Sequence, residues 1–289
     1  MNLMITGAWA NAQKYIDQIE AMGHQVRFMQ WEKDEVADYD WVEGVICNGL
    51  FLHHPISSFP NLKYIQLTSA GFDRVDLEEI KKRKIEIYNA KGVYSTPMAE
   101  FAVAGVLSLY KRLGDFREQQ ERHEWKKIRK IRELAGKRVV IVGCGDVGVQ
   151  CAKRFKAFDC EVIGVNRTAR EIEWFDRVVG LQDLDRELEA ADVVIVTIAL
   201  TEATRGLVRA RELRQDAVLV NISRGGTVDL AGSQCHLILD VFDNEPLEEN
   251  DPLWSTATIT PHNSFVSENN AVRLSSLIIQ NLGAHTWRA

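Results

Sequence analysis

Short apolar runs alternate with stretches of helical spacing along the chain. In the first third, residues 2–6, 25–29, 42–47, 62–67 and 85–88 read as strands. Between them, residues 10–22 place Ala12, Tyr15, Ile16 and Ile19 at helical intervals and stop at Gly23, which suits a left-handed cap. Residues 76–83 predict a second helix. Strands alternating with helices imply an α/β fold with a parallel, doubly wound sheet, and such sheets collect ligands at the carboxyl ends of their strands. Asn48-Gly49 and Ser69-Ala70-Gly71 follow two of these runs and are candidate substrate loops. Their small residues leave backbone N–H groups able to hold an anion, although ordinary turns share this composition.

Thr96-Pro97 then marks a helix start, an N-cap oxygen followed by proline. The helix carries Met98, Phe101, Ala102, Val106 and Leu109, ends by Gly114, and is apolar on nearly all sides, as expected for a domain junction or a subunit contact. Residues 115–132 are densely charged and predict a solvated helix or arm, in which Trp125 stands out. A second strand series opens at residue 137 and continues at 161–165, 193–198, 217–222, 237–242 and 258–260, before a closing helix over 268–282.

The stretch 137–152, KRVVIVGCGDVGVQCA, is the most informative. A β-branched run enters Gly143-Cys144-Gly145-Asp146-Val147-Gly148, and helix-compatible sequence follows. One glycine serves the tight turn, one lets the backbone approach a pyrophosphate, and one lets helix pack on strand. The new helix offers free N–H groups and a positive dipole end to phosphates.

Length and composition set limits. A chain of 289 residues accommodates two domains, and 46% hydrophobic with 26% charged residues is typical of a globular protein. A net charge of −6 gives no reason to expect nucleic acid. No run approaches a membrane span, and residues 1–5 are too short for a signal peptide, so no membrane partner is expected. Cys47, Cys144, Cys151, Cys160 and Cys235 are scattered and lack C-x-x-C spacing, which suggests reduced thiols in the cytoplasm. No His, Cys or carboxylate cluster has metal-ligand spacing.

Three later stretches bring polar residues to strand ends: NISRGG over 221–226, LDVFDNEPL over 239–247, and TPHN over 260–263. All should reach the edge where the glycine turn lies. Arg224 suits a carboxylate or carbonyl oxygen, His262 can deliver a proton, and Glu245 can fix its tautomer. Singly, each has an ordinary structural reading; the ordered combination behind the glycine turn points to reduction of a 2-oxo acid. After the second strand of this series the chain reads Asn166-Arg167-Thr168. A carboxylate there would bind the ribose hydroxyls of NAD, whereas arginine suits the phosphate of NADP, so NADP is favoured over NAD.

Together with SAGFDRVDL over 69–77 and YSTPMAEF over 94–101, these stretches resemble the D-isomer-specific 2-hydroxyacid dehydrogenase family over most of the chain. The resemblance implies two doubly wound parallel-sheet domains: a flavodoxin-like substrate domain, 1–93 and 266–289, and a Rossmann NAD(P)-binding domain, 94–265. It also implies a homodimer built through the cofactor domain, and hydride transfer from NAD(P)H to a small 2-oxo acid, of the glyoxylate/hydroxypyruvate reductase or phosphoglycerate dehydrogenase kind. Catalysis falls to Arg224, Glu245 and His262. Cofactor contacts fall to Gly143, Gly145, Asp146, Val147, Gly148, Asn166, Arg167, Thr168, Ile198, Ile222, Ser223, Asp240, His262 and Asn263. Substrate contacts fall to Asn48, Gly49, Ser69, Ala70, Gly71 and Arg224. The chain departs from the family pattern by looking short over 229–237, where a helix is expected, and slightly short over 211–217. The alternative reading is a non-catalytic dinucleotide-sensing corepressor or scaffold of the same fold, against which the joint presence of Arg224, Glu245 and His262 argues.

Overall fold

The computed structural model describes residues 1–284; residues 285–289 of the expected substrate-domain segment lie outside the described residues. The chain forms two compact units, Met1–Tyr94 with the segment from Ser267, and Ser95–Val266.

The first unit holds β1 (Asn2–Thr6), β2 (Gln25–Met29), β3 (Gly44–Cys47), β4 (Tyr64–Leu67) and β5 (Glu86–Tyr88), all parallel in the order β2-β1-β3-β4-β5. Successive side chains of a strand point to opposite faces, so buried central strands must be apolar on both. Leu3, Ile5, Ile46 and Tyr64 face one cluster, and Met4, Val45, Cys47, Ile65 and Leu67 face the other. The helix expected over 10–22 is divided: Ala12–Tyr15 is a 3-10 turn, and only α1 (Ile16–Ala21) is α-helical. Neither start has a side-chain cap, and Trp9 fixes the entry by donating from Nε1 to Ser275 Oγ at 3.0 Å. Helix α2 (Leu77–Arg83) is capped by Asp76, whose Oδ1 accepts from Glu78 N and Glu79 N.

The second unit opens with α3 (Ser95–Tyr110) and α4 (Leu113–Glu121). Helix α3 buries Ala99, Ala102 and Val106 against Cys151, Ala152 and Phe155, which accounts for its broad apolar surface. The charged stretch is helical only to Glu121; residues 124–134 run without regular structure, and Trp125 is 98% exposed. The strands are β6 (Arg138–Val142), β7 (Glu161–Val165), β8 (Arg177–Val179), β9 (Val193–Val196), β10 (Val208–Arg209), β11 (Val218–Asn221), β12 (Val228–Asp229), β13 (His236–Leu239) and β14 (Ala257–Ile259). Seven form one parallel sheet, β14-β13-β11-β9-β6-β7-β8, while β10 and β12 pair separately. The strand order reverses between β6 and β9, the topological switch point where such sheets bind ligands. Helices α5 (Asp146–Lys156), α6 (Leu184–Ala190) and α7 (Leu253–Thr256) belong to this unit. The crossover from β11 to β13 carries no α-helix. Residues 230–235 run directly from β12 into β13, and a cavity of about 530 Å³, lined by Leu230, Leu239, Phe242 and Leu253 among others, lies beside them.

Helix α8 (Asn270–Ala284) returns to the first unit. It buries Leu274, Ile278 and Leu282 beside Leu3 and Ile5, and Asn281 Nδ2 donates to Gln66 Oε1 at 2.7 Å. None of the described helices is long and apolar enough to cross a membrane.

Candidate active site

The strand ends of the large sheet form one row. Ile259 pairs with Leu239, Leu239 with Asn221, Asn221 with Val196, Val196 with Val142, and Val142 with Val165. Each candidate residue of the second unit lies just beyond this row, because parallel strands present all their carboxyl ends on one side.

After β6, the chain turns through Gly143 into α5. A Cβ on Gly148 would come within 2.0 Å of Gly143 O, so helix and turn touch there. A Cβ on Gly145 would meet nothing within 4 Å, and α5 starts with no side-chain cap. Open space at Gly145 and uncapped N–H groups at Asp146, Val147 and Gly148 fit a dinucleotide pyrophosphate. Ile198, after β9, closes the turn from the other side, with Cγ2 at 2.9 Å from a Cβ built on Gly143.

After β7, Asn166 N donates to Val179 O, and Arg167 and Thr168 are exposed. Arg170, a little further along the same loop, is exposed as well. Burial pushes the Cys144 thiol up to about 12, and the Arg170 charge opposes that rise.

After β11, Asn221 organises the loop. Its Oδ1 accepts from Ser223 N and Ser223 Oγ, and its Nδ2 donates to Arg224 O at 2.9 Å. Thr227 Oγ1 donates to the same carbonyl at 2.6 Å, and Arg224 Nη1 donates to Ser223 O at 2.7 Å. Ile222 is buried beneath. A Cβ on Gly225 would lie 2.0 Å from the Phe242 carbonyl carbon, so glycine is what lets the Arg224 loop touch the loop that carries Glu245.

After β13, Asp240 is fully buried. Its Oδ1 accepts from Thr260 Oγ1 at 2.6 Å and Asn263 N at 2.8 Å, and its Oδ2 accepts from Ser264 N at 2.9 Å. Its backbone carbonyl takes the His262 N–H at 2.8 Å. Both carboxylate oxygens are engaged by the chain itself, so in this structure Asp240 fastens the 260–264 turn. That turn holds His262 in the left-handed region, φ +51°, which a non-glycine residue adopts only when its surroundings impose it. His262 Nδ1 lies 2.7 Å from Glu245 Oε2, Glu245 Oε1 accepts from Phe242 N at 3.0 Å, and Phe265 meets the imidazole edge-on at 5.8 Å. Both members of the pair are about one-third exposed, His262 at 36% and Glu245 at 35%.

In the first unit, the two candidate loops differ. The Asn48 and Gly49 amides are not free to hold a ligand: both donate to the Glu32 carboxylate, at 2.6 and 2.7 Å. In the Ser69 turn, Asn89 Nδ2 donates to Ala70 O and Ser69 Oγ to Gly71 O, while the Ala70 and Gly71 N–H groups donate to no acceptor among the described residues. Of the two, only this turn keeps amides for an anion. Glu32 had no sequence signal, because its partners lie 16 and 17 residues away.

Residues 103–264 match the D-isomer specific 2-hydroxyacid dehydrogenase, NAD binding domain. The chain is similar to a glyoxylate reductase of Thermofilum pendens, 32% identical over 242 residues, covering 77% of this chain and 71% of the relative. It is similar in structure to a D-isomer specific 2-hydroxyacid dehydrogenase family protein from Aeromonas salmonicida (TM-score 0.82, 25% identity, 97% and 94% of the two chains covered). A D-isomer specific 2-hydroxyacid dehydrogenase from Xanthobacter autotrophicus, solved with NADPH and MES, gives a TM-score of 0.77 at 25% identity, covering 98% and 95%. With the glycine turn at the switch point and the polar strand ends beside it, these similarities establish that the chain belongs to the D-isomer specific 2-hydroxyacid dehydrogenase family and is an NAD(P)-dependent oxidoreductase.

Proposed function

We propose that this protein reduces a small 2-oxo acid to its D-2-hydroxy acid, with NADPH preferred over NADH, in the manner of a glyoxylate or hydroxypyruvate reductase. The unit from Ser95 to Val266 takes the cofactor, and the unit built on Met1–Tyr94 serves the substrate. The observation that carries the reading is the 2.7 Å contact between His262 Nδ1 and Glu245 Oε2, on a loop that touches the Arg224 loop.

When bound, the reduced nicotinamide supplies a hydride to the carbonyl carbon. Arg224 holds the carboxylate or carbonyl oxygen of the acid with its planar fork. Glu245 keeps the Nδ1 proton of His262 directed at itself, so Nε2 is the nitrogen that gives a proton to the developing alkoxide. In the reverse direction the same nitrogen takes the hydroxyl proton. In the first unit, the Ala70 and Gly71 amides are donors suited to an anion. Arg167, Thr168 and Arg170 after β7 are suited to the extra phosphate of NADP.

The exposed Trp125, with Phe116 and Ile128, lines an open groove of about 860 Å³ on the charged arm. We read this arm as a contact with a second copy of the chain, to be checked by the mass in light scattering. Five free, buried cysteines suit the cytoplasm.

The test is the initial rate of NADPH and NADH oxidation with glyoxylate, hydroxypyruvate, pyruvate and phenylpyruvate, for the parent protein and His262→Ala. Turnover lost on the order of a hundredfold in the variant, with cofactor still bound, is the expected result. Cofactor binding with no turnover on any acid would favour the sensor reading instead.

A further inference from the structure

Glu32 fills a binding site with the chain's own charge. Thr6 Oγ1 donates to its Oε1 at 2.8 Å, Asn48 N to the same oxygen at 2.6 Å, and Gly49 N to Oε2 at 2.7 Å. Thr6 ends β1 and is fully buried; Asn48 and Gly49 follow β3; Glu32 itself is half-buried in the loop after β2. A Cβ on Gly49 would stand only 3.3 Å from Oε2, so glycine leaves room for the carboxylate. Two consecutive amides and a hydroxyl converging on two oxygens form an anion nest, and here the anion is a side chain.

The nest lies next to the Ala70-Gly71 amides. Strands β3 and β4 pair with Cys47 opposite Leu67, and Thr68 N donates to Cys47 O at 2.8 Å. One strand spacing, about 4.8 Å, separates the ends of β3 and β4, so the Glu32 carboxylate and the Ser69 turn share one edge of the sheet. The charge is felt locally: burial raises the Cys47 thiol, and Glu32 adds to the rise.

We propose that Glu32 is a specificity-determining residue that bars 2-oxo acids carrying a second negative charge and leaves monoanionic 2-oxo acids as the substrate class. The inference rests on the reductase reading above. Two effects combine. A second anionic group entering beside the Ser69 turn meets the Glu32 carboxylate in a partly desolvated setting, where repulsion between charges on the order of 10 Å apart is worth about tenfold in binding. The backbone donors of the neighbouring strand-end turn, Asn48 N and Gly49 N, are already taken.

The experiment compares kcat/KM for hydroxypyruvate and for its phosphorylated counterpart, 3-phosphohydroxypyruvate, in the parent protein and in Glu32→Gln. The parent protein is expected to prefer the monoanion, and the variant to raise the phosphorylated-to-plain ratio by about tenfold. A ratio unchanged within about twofold, or a parent preference for the phosphorylated acid, overturns the proposal. A second measurement needs no variant. In the parent protein, raising ionic strength from about 0.02 M to about 0.5 M should narrow the discrimination at least twofold by screening, and a constant ratio counts against the proposal. If the parent protein reduces neither these acids nor glyoxylate, the reductase reading has failed, a result distinct from active protein with an unmoved ratio.

Discussion

Glu245 Oε2 lies 2.7 Å from His262 Nδ1, and the other oxygen of the same carboxylate accepts the Phe242 N–H at 3.0 Å. The carboxylate is thus anchored to the backbone of its own loop before it meets the imidazole. A carboxylate against Nδ1 makes that nitrogen the donor and leaves Nε2 as the one that exchanges a proton elsewhere.

Replacing Glu245 by Gln removes the charge and leaves the size. We expect kcat/KM for the 2-oxo acid to fall on the order of a hundredfold, since a base that loses its orienting partner loses much of its proton-transfer advantage. NADPH affinity, read by quenching of protein fluorescence, should change little. A rate loss below about threefold would remove Glu245 from the proposed role.

Arg167 and Arg170 leave the end of β7, and the charge of Arg170 reaches Cys144 in the glycine turn. The double substitution Arg167→Ala with Arg170→Ala should weaken NADPH binding by about 10- to 100-fold, the size of one or two charge-assisted hydrogen bonds, and leave NADH nearly unaffected. Dissociation constants for the two dinucleotides, measured by calorimetry, decide it. Equal losses for both would show that these arginines do not read the phosphate.

Glu187 is 1% exposed and accepts from Arg138, Arg177 and Arg186. Burial pushes its carboxyl pKa up, but the arginine hydrogen bonds and charges outweigh burial and hold it below the usual carboxylate value. A carboxyl lowered in the folded state stabilises it above the unfolded value, 4.5, and that contribution is lost as pH falls through the lower folded value. Glu187→Gln should therefore cost about 2 kcal/mol at pH 7, discounted for the partial exposure of the arginines. The cost should shrink below about pH 4.5. Urea unfolding at the two pH values measures both, and a pH-independent difference would contradict the account.

The glycine turn and the central strands were legible because each follows from a local rule, whereas Arg224, Glu245 and His262 were picked out only by their order behind that turn and by the family resemblance. Strands buried on both faces must be apolar throughout, and a phosphate turn must be small. Strand β8 and helix α6 gave no such signal: Arg177–Val179 is only partly buried, and Leu184–Ala190 spans barely two turns. Glu32 was invisible for another reason. Its function depends on distant amides that only the folded sheet brings to it, so no spacing along the chain records it. The same loop shows where composition misleads: small residues at Asn48 and Gly49 suggested open donors, and the fold had already occupied them. Asp240 and Arg170 lie between these extremes, since their positions beyond strand ends were readable while their partners were not.

The crossover without a helix sets how this protein should respond to heat. Strand β13 leads into Asp240 and, through the edge strand β14, into the turn that carries His262. On one face these strands are shielded by loops and a cavity where a helix would pack. Regions with thin cover open at lower free energy than the rest of the molecule. Strands β13 and β14, at one edge of the sheet, form the segment that should exchange its amide hydrogens early, while the sheet around β6 stays closed. Warming would silence the enzyme at a temperature where most of its structure survives, and cooling would restore it.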